Sequence, residues 1–233
     1  MSQKETAVVV GVGPGLGWAL VRAFARAGCR VAAAARDRQH VEALAAAEPG
    51  LEVRTYACDV ADGASVRRLF EAIDRDLGAP RVAIFNAGVF QRTGILDLDA
   101  ADLERAWRVG CLGGFRVGQE AARRMTGGGT ILFTGATASV RGSAGFAALA
   151  VQKFGLRALA QSMARELGPR GIHVAHVIVD GVIASERTAA FAPVGDDAAL
   201  DPDAIARAYL ALHEQPRSAW THELDVRPWV EKF

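Results

Sequence analysis

The chain has 233 residues, and its 27 Lys and Arg against 26 Asp and Glu give a formal net charge of +1. That length fits one large domain with a sizeable core, and the near-neutral balance excludes a nucleic-acid footprint or a polybasic membrane surface. A hydrophobic fraction of 51% with 23% charged residues excludes wholesale disorder. The three cysteines, Cys29, Cys58 and Cys111, are far apart and odd in number, as expected of a reducing compartment with no structural metal cluster. The opening stretch MSQKETAVVVGVG is too short an apolar run for a signal-peptide core or a membrane span. The expectation is a cytoplasmic single domain over residues 1–233, acting on a small molecule rather than on nucleic acid or membrane.

In chain order, short apolar runs alternate with longer amphipathic segments. Ala7–Val10 is a continuous apolar run of the kind buried on both faces of a sheet. A glycine-rich turn and a helix over Leu16–Ala27 follow. Val31–Ala35 is a second strand, Val41–Ala47 a helix stopped by Pro49-Gly50, and Val53–Ala57 a third strand. Asp62–Leu77 places Val66, Leu69, Phe70 and Ile73 on one helical face and ends at Gly78. Val82–Phe85 is a fourth strand. Leu103–Met125 reads as one long helix weakened by glycines. Ile131–Thr134 is a strand, Phe146–Leu167 a helix closed by Gly168-Pro169, and Val174–Val179 a strand. Ala204–His213 is a last helix, and Glu223–Val226 can add a final strand. Such alternation implies parallel strands with right-handed crossovers and helices on both faces, the doubly wound α/β class. Residues 184–202 lack periodicity and are expected to form a substrate-side loop.

Gly11-Val12-Gly13-Pro14-Gly15-Leu16-Gly17 sits directly between the first strand and the first helix. Glycines there permit a tight turn and let backbone approach a pyrophosphate, while the helix N-terminus offers free N–H groups and a positive dipole end. A lone glycine triplet is a weak signal, but the strand–turn–helix setting is the context it requires. At the end of the second strand an acid would take ribose hydroxyls and a base would accommodate a 2′-phosphate. Ala35 stands where the acid would, followed by Arg36, with Arg38 a second basic candidate. NADP(H) is therefore expected over NAD(H), although Asp37 could reach the ribose if the register slips.

These residues resemble the short-chain dehydrogenase/reductase family, and the resemblance covers nearly the whole chain. Gly11, Gly15 and Gly17 match the spacing of its loop. Cys58-Asp59-Val60 looks like its adenine-contacting aspartate, and Phe85-Asn86-Ala87-Gly88 like its Asn-Asn-Ala-Gly element. Val179-Asp180-Gly181-Val182-Ile183 resembles the segment after strand six, with Asp180 in place of proline; the resemblance puts Ile183 and Ser185 beside the nicotinamide carboxamide. It implies a Rossmann-like fold and pairing of long helices into a homodimer or homotetramer.

The resemblance also implies a catalytic set of Asn, Ser, Tyr and Lys. Lys153 is present, and in the family it holds the nicotinamide ribose and lowers the tyrosine pKa. Leu149 stands at the tyrosine position, Ala136 at the serine position and Gly110 at the asparagine position. Leu149 has no proton to give, and Ala136 cannot hydrogen-bond a developing oxyanion. Tyr56 and Tyr209 lie elsewhere, the latter expected to pack; Thr137, Ser139 and Ser143 are nearby hydroxyls. His173 and His176, three apart on a strand, cannot pair on a metal; His173 is expected at the surface, His176 inside, and Cys111 as a buried thiol. No metal site is expected. Two readings stay open: an NADP(H)-dependent oxidoreductase with non-standard acid chemistry, and a catalytically silent NADP(H)-binding protein acting as a sensor or structural partner.

Overall fold

The computed structural model describes residues 4–185, 188 and 198–230. The strands are β1 (Thr6–Val10), β2 (Arg30–Ala35), β3 (Val53–Ala57), β4 (Val82–Phe85), β5 (Gly129–Thr134), β6 (Ile172–Val179) and β7 (Glu223–Val226). They pair in parallel in the order β3-β2-β1-β4-β5-β6-β7. The helices are α1 (Leu16–Arg26), α2 (Arg38–Ala47), α3 (Gly63–Leu77), α4 (Ala100–Trp107), α5 (Gly113–Arg124), α6 (Ala147–Leu167) and α7 (Pro202–His213). This is the Rossmann-like arrangement expected from the alternation of runs.

The strand period of two divides the core. Ala7 and Val9 of β1 face a layer with Leu20 and Phe24 of α1, Val41 of α2 and Ile205 and Tyr209 of α7. Val8 and Val10 face the other way, toward Phe70 and Ile73 of α3, Val117 of α5 and Leu156 of α6. Each large side chain fully removed from water contributes roughly 1.5–3 kcal/mol, which is why both sheet faces read as apolar in sequence. Aspartates begin several helices: Asp62 accepts from the amides of Ala64 and Ser65 at 2.8 and 3.1 Å, and Asp201 from those of Asp203 and Ala204 at 2.9 and 3.2 Å. A cap of this kind is worth about 1 kcal/mol.

The long helix read over Leu103–Met125 is divided. It begins at Ala100, where Asp99 caps it, and a π turn over Arg108–Leu112 interrupts it. The π turn falls on the glycine-rich stretch that weakened the helical pattern, and such turns tend to occur at functional sites. His173 is buried rather than exposed: its ring stacks on Trp220 and its Nε2 lies 2.8 Å from the Thr221 carbonyl oxygen. Cys111 is half-buried against Gly155 rather than fully enclosed. Of the expected loop 184–202, residues 186–187 and 189–197 lie outside the described residues. No helix among the described residues is long and apolar enough to cross a membrane.

Candidate active site

The sheet order reverses between β1 and β4, and a crevice of about 870 Å³ opens beyond the C-terminal ends of β1, β2 and β4. Gly11, Val12 and Gly13 line it, as do Arg36, Asp59, Val60, Asn86, Ala87 and Gly88. Gly11 has φ +95°, and a Cβ there would stand 2.4 Å from the Ala87 nitrogen. Only glycine lets the two chain segments meet this closely. The Asn86 amide reinforces the join by donating from Nδ2 to the Gly11 carbonyl oxygen at 3.0 Å. Gly17 lets α1 pack on the loop, since a Cβ would lie 2.8 Å from the Gly11 oxygen. Pro14, Gly15, Leu16 and Gly17 thus form and support the loop without lining the crevice, and Leu16 is buried in the core. Gly15 begins α1 with no side-chain cap, and the first turn carries no acid. The Trp18 amide turns back to the Gly13 carbonyl oxygen at 2.9 Å, so the amides of Leu16 and Gly17 are the ones a helix start leaves without an intrahelical partner.

At the outer end, Arg36 lines the crevice with Asp37 and His40. Arg38 does not: its Nε lies 2.8 Å from Glu42 Oε1, one helical turn along α2, and it borders a neighbouring surface hollow. Asp37 is occupied as the cap of α2, accepting from the His40 amide at 3.2 Å. After β3, Asp59 accepts from the Ala61 amide at 2.9 Å, while its own amide donates to Ser65 Oγ at 3.1 Å. Arg116 of α5 fixes the same turn by donating to the Val60 and Ala61 carbonyl oxygens at 3.1 and 2.6 Å. Sequence reasoning passed over Arg116 because its contact is more than fifty positions away in the chain.

At the inner end, Lys153 is buried on α6 and donates from Nζ to the Thr134 carbonyl oxygen at 2.7 Å. Burial lowers its pKa to about 8. A Cβ on Gly88 would lie 3.4 Å from that Nζ, so the ammonium stands directly behind the crevice wall. Leu149 lies one helical turn before Lys153, partly buried. Ala136 follows β5 in extended backbone, and its amide donates to Ser139 Oγ at 3.1 Å. Ser139 is fully enclosed and lies 3.3 Å from Nε2 of His176, whose pKa burial lowers to about 4. Thr137 donates to Asp180, which stands where the resemblance has proline. Tyr209 packs as expected: it is fully buried and its hydroxyl donates to Thr134 Oγ1 at 2.8 Å.

Two further expected contacts, like Arg38 and the buried Lys153, are not among the residues that line the crevice. Ile183 bridges to Leu200, and Ser185 Oγ is engaged with Thr188, accepting from its amide at 3.2 Å. Gly110 is buried in the π turn, facing the carboxamide of Gln152, a residue that no linear motif singled out. No group of three or more His, Cys, Asp or Glu able to hold a metal occurs among the described residues.

A parallel sheet with a glycine loop at its reversal point, a base beyond β2 and a buried lysine on the helix after β5 defines a dinucleotide-fold protein. Comparison with known proteins narrows the class. The family model described as enoyl-(acyl carrier protein) reductase matches residues 11–219. A short-chain dehydrogenase from Rhodopseudomonas palustris superposes with TM-score 0.85 at 38% identity, covering 97% of this chain and 99% of that one. The sex determination protein tasselseed-2 of Zea mays is 36% identical over 84% of this chain and 61% of its own length. A metagenomic short-chain oxidoreductase in complex with NADP is 26% identical, covers 97% of this chain and 98% of that one, and has TM-score 0.84. The chain belongs to the short-chain dehydrogenase/reductase family.

Proposed function

We propose that the protein is an NADP(H)-dependent oxidoreductase that moves hydride between the coenzyme and a small organic substrate without the family's serine and tyrosine. The observation that carries this reading is the crevice itself: a glycine cradle that a Cβ would fill, the Leu16 and Gly17 amides at a helix start with no side-chain cap, and Arg36 at the outer wall. The NADP held by the metagenomic relative supports the coenzyme class. The Gly11–Gly13 backbone and the start of α1 would hold the pyrophosphate, Arg36 the 2′-phosphate, Asp59 and Val60 the adenine, and Lys153 the nicotinamide ribose. When bound, the nicotinamide supplies or accepts the hydride.

The protein's own part is binding, orientation and the proton. Reduction of a carbonyl leaves an oxyanion that must be protonated, and a positioned acid contributes roughly 10²–10⁴-fold. The family resemblance puts Leu149 and Ala136 in the two places where its members have that help. Lys153, with its pKa lowered to about 8, carries a proton that can be released near neutral pH. Substrates needing little protein acid suit such a site: an iminium ion, an activated alkene, or a carbonyl protonated by water. The hydrocarbon of Leu149 also favours a second reading, a silent coenzyme-binding protein that acts as a sensor or structural partner.

A second copy of the chain is the proposed protein partner. Trp107, Phe115, Val151 and Phe154 expose 41, 40, 45 and 40% of their surface on the α4–α5 and α6 segments. Bare apolar side chains of this size on neighbouring helices are expected to be covered.

Thermal shift tests the coenzyme: NADPH raises the melting temperature, and raises it more than NADH does at equal concentration. Equal shifts would remove the Arg36 argument. Turnover tests the chemistry: ordinary ketones react poorly, and the pair Leu149→Tyr with Ala136→Ser gains carbonyl reduction. Brisk wild-type turnover of ketones would overturn the assignment of those two positions. No turnover by the pair, with NADPH still bound, would favour the silent reading.

A further inference from the structure

We infer that Gln152 is a positioning residue of the coenzyme site, supplying from α6 a carboxamide in the space where the family's asparagine would project from position 110. The inference rests on the coenzyme reading above. Gln152 is fully buried, next to Lys153 in the chain. Its Nε2 donates to the Val89 carbonyl oxygen at 2.8 Å, and its Oε1 accepts from the Val89 amide at 3.1 Å. One side chain therefore satisfies both backbone groups of Val89, as a neighbouring strand would. Val89 belongs to the segment from Asn86 to Phe90 that lines the crevice. A Cβ on Gly88 would stand 3.4 Å from Gln152 Oε1 and also 3.4 Å from Lys153 Nζ. The carboxamide and the ammonium thus lie together behind one stretch of wall.

Gly110 completes the observation. A Cβ there would fall 2.0 Å from Gln152 Oε1, 2.7 Å from its Cδ and 2.9 Å from its Cγ. The π turn presses the backbone of residue 110 onto the glutamine amide. An asparagine at 110 would carry its own carboxamide one bond beyond that Cβ, into volume already filled. The two arrangements exclude each other: a carboxamide from 110 or a carboxamide from 152. Gly110 is then the partner of Gln152 rather than a bare deletion. Without either amide, the N–H and C=O of half-buried Val89 lose the partner that ties them to α6, and the wall segment loses its fixed position.

The test is a cycle of purified full-length variants, read by NADPH affinity and by melting temperature. Gln152→Ala is expected to weaken NADPH binding about tenfold, the loss of roughly 1.4 kcal/mol from two neutral hydrogen bonds. Gly110→Asn alone is expected to weaken it as well, through overlap. Combining Gly110→Asn with Gln152→Ala is expected to recover most of the affinity, a rescue that loss of packing would not give. A Gln152→Ala protein that melts lower but binds NADPH like the wild type overturns the inference, as does a double variant no better than the weaker single. Gln152→Glu covers the case in which the alanine variant does not fold. It keeps the acceptor for the Val89 amide, loses the donor, and places a carboxylate beside Lys153. That carboxylate should move the alkaline limb of the NADPH-binding pH profile upward; an unmoved profile overturns the inference. A wild-type chain that binds neither coenzyme ends the coenzyme reading and this inference together, whereas a wild type that binds with indistinguishable variants ends this inference alone.

Discussion

The two ends of the crevice are built from different materials. The outer end is main chain: Gly11 fits against Ala87, Gly17 lets α1 close on the loop, and Asn86 laces the two segments together. The inner end is held by side chains: Lys153 on the Thr134 carbonyl oxygen, Tyr209 on the Thr134 hydroxyl, Ser139 against His176, and Gln152 in the hollow of Gly110. Main-chain requirements select one residue type at one position. Side-chain requirements can be met from a different element, provided the atoms arrive at the same place. Substitution at the outer end should therefore be unforgiving, and substitution at the inner end open to compensation.

Gly11→Ala should have the largest effect. It forces an L side chain into φ +95° and sets its Cβ 2.4 Å from backbone of the facing segment. Backbone strain of that kind costs roughly 1–3 kcal/mol, and each kcal/mol moves the melting temperature of a chain this size by about 2–4 °C. The overlap adds to that cost. Calorimetry should find a lower melting temperature, and titration should find NADPH binding lost. Normal NADPH binding by Gly11→Ala would mean that the outer end tolerates displacement after all.

Arg36→Ala comes next. A charged hydrogen bond contributes about 1.5–3 kcal/mol, so NADPH affinity should fall roughly 10- to 100-fold. NADH, which has no 2′-phosphate, should bind nearly as before. A parallel loss for both coenzymes would place Arg36 on the ribose or adenine instead of the phosphate.

The same contrast explains what could be read from sequence. The glycine spacing, the apolar runs of both sheet faces and the base after β2 are local signals, and the fold and the outer end follow from them. Arg38 shows the limit even there: two positions from Arg36, it is claimed by Glu42 one helical turn away, because a helix begins between the two arginines. At the inner end Lys153 was legible and Gln152 was not. The meaning of Gln152 depends on Gly110, and the π turn that joins them appears in sequence only as a glycine-weakened helix. His173 was misplaced for a related reason. Its strand lies beneath Trp220, and that cover comes from a segment nearly fifty residues away.

Acid should expose a weakness behind the inner wall. His176 is fully buried, and burial brings its pKa down to about 4; burial also lowers that of His173. The unfolded chain takes up these protons near pH 6.5, whereas folded His176 resists until about 4. Stability should then decline as pH falls from about 6.5, before most carboxylates begin to titrate. The Glu223 carboxylate is held below the usual carboxylate range, chiefly by its hydrogen bond from Arg157, and so does not contribute to this decline. Melting curves between pH 7 and 5 should show the decline in wild type and a shallower one in His176→Gln. Identical slopes would mean that the His176 imidazole already carries its proton in the fold.

The smallest effect belongs to Arg38→Ala. Its ion pair with Glu42 is exposed and spans i to i+4, a pairing worth about 0.3–0.5 kcal/mol. Stability should barely change. NADPH affinity should hardly change either, because the guanidinium is directed along α2 and away from the crevice lining. The value of this variant lies beside Arg36→Ala. Both remove one positive charge from the same turn, so a long-range attraction for the phosphorylated coenzyme would weaken alike in the two and fade with added salt. Direct contact at Arg36 predicts a large loss in one variant and almost none in the other, with the difference surviving in salt.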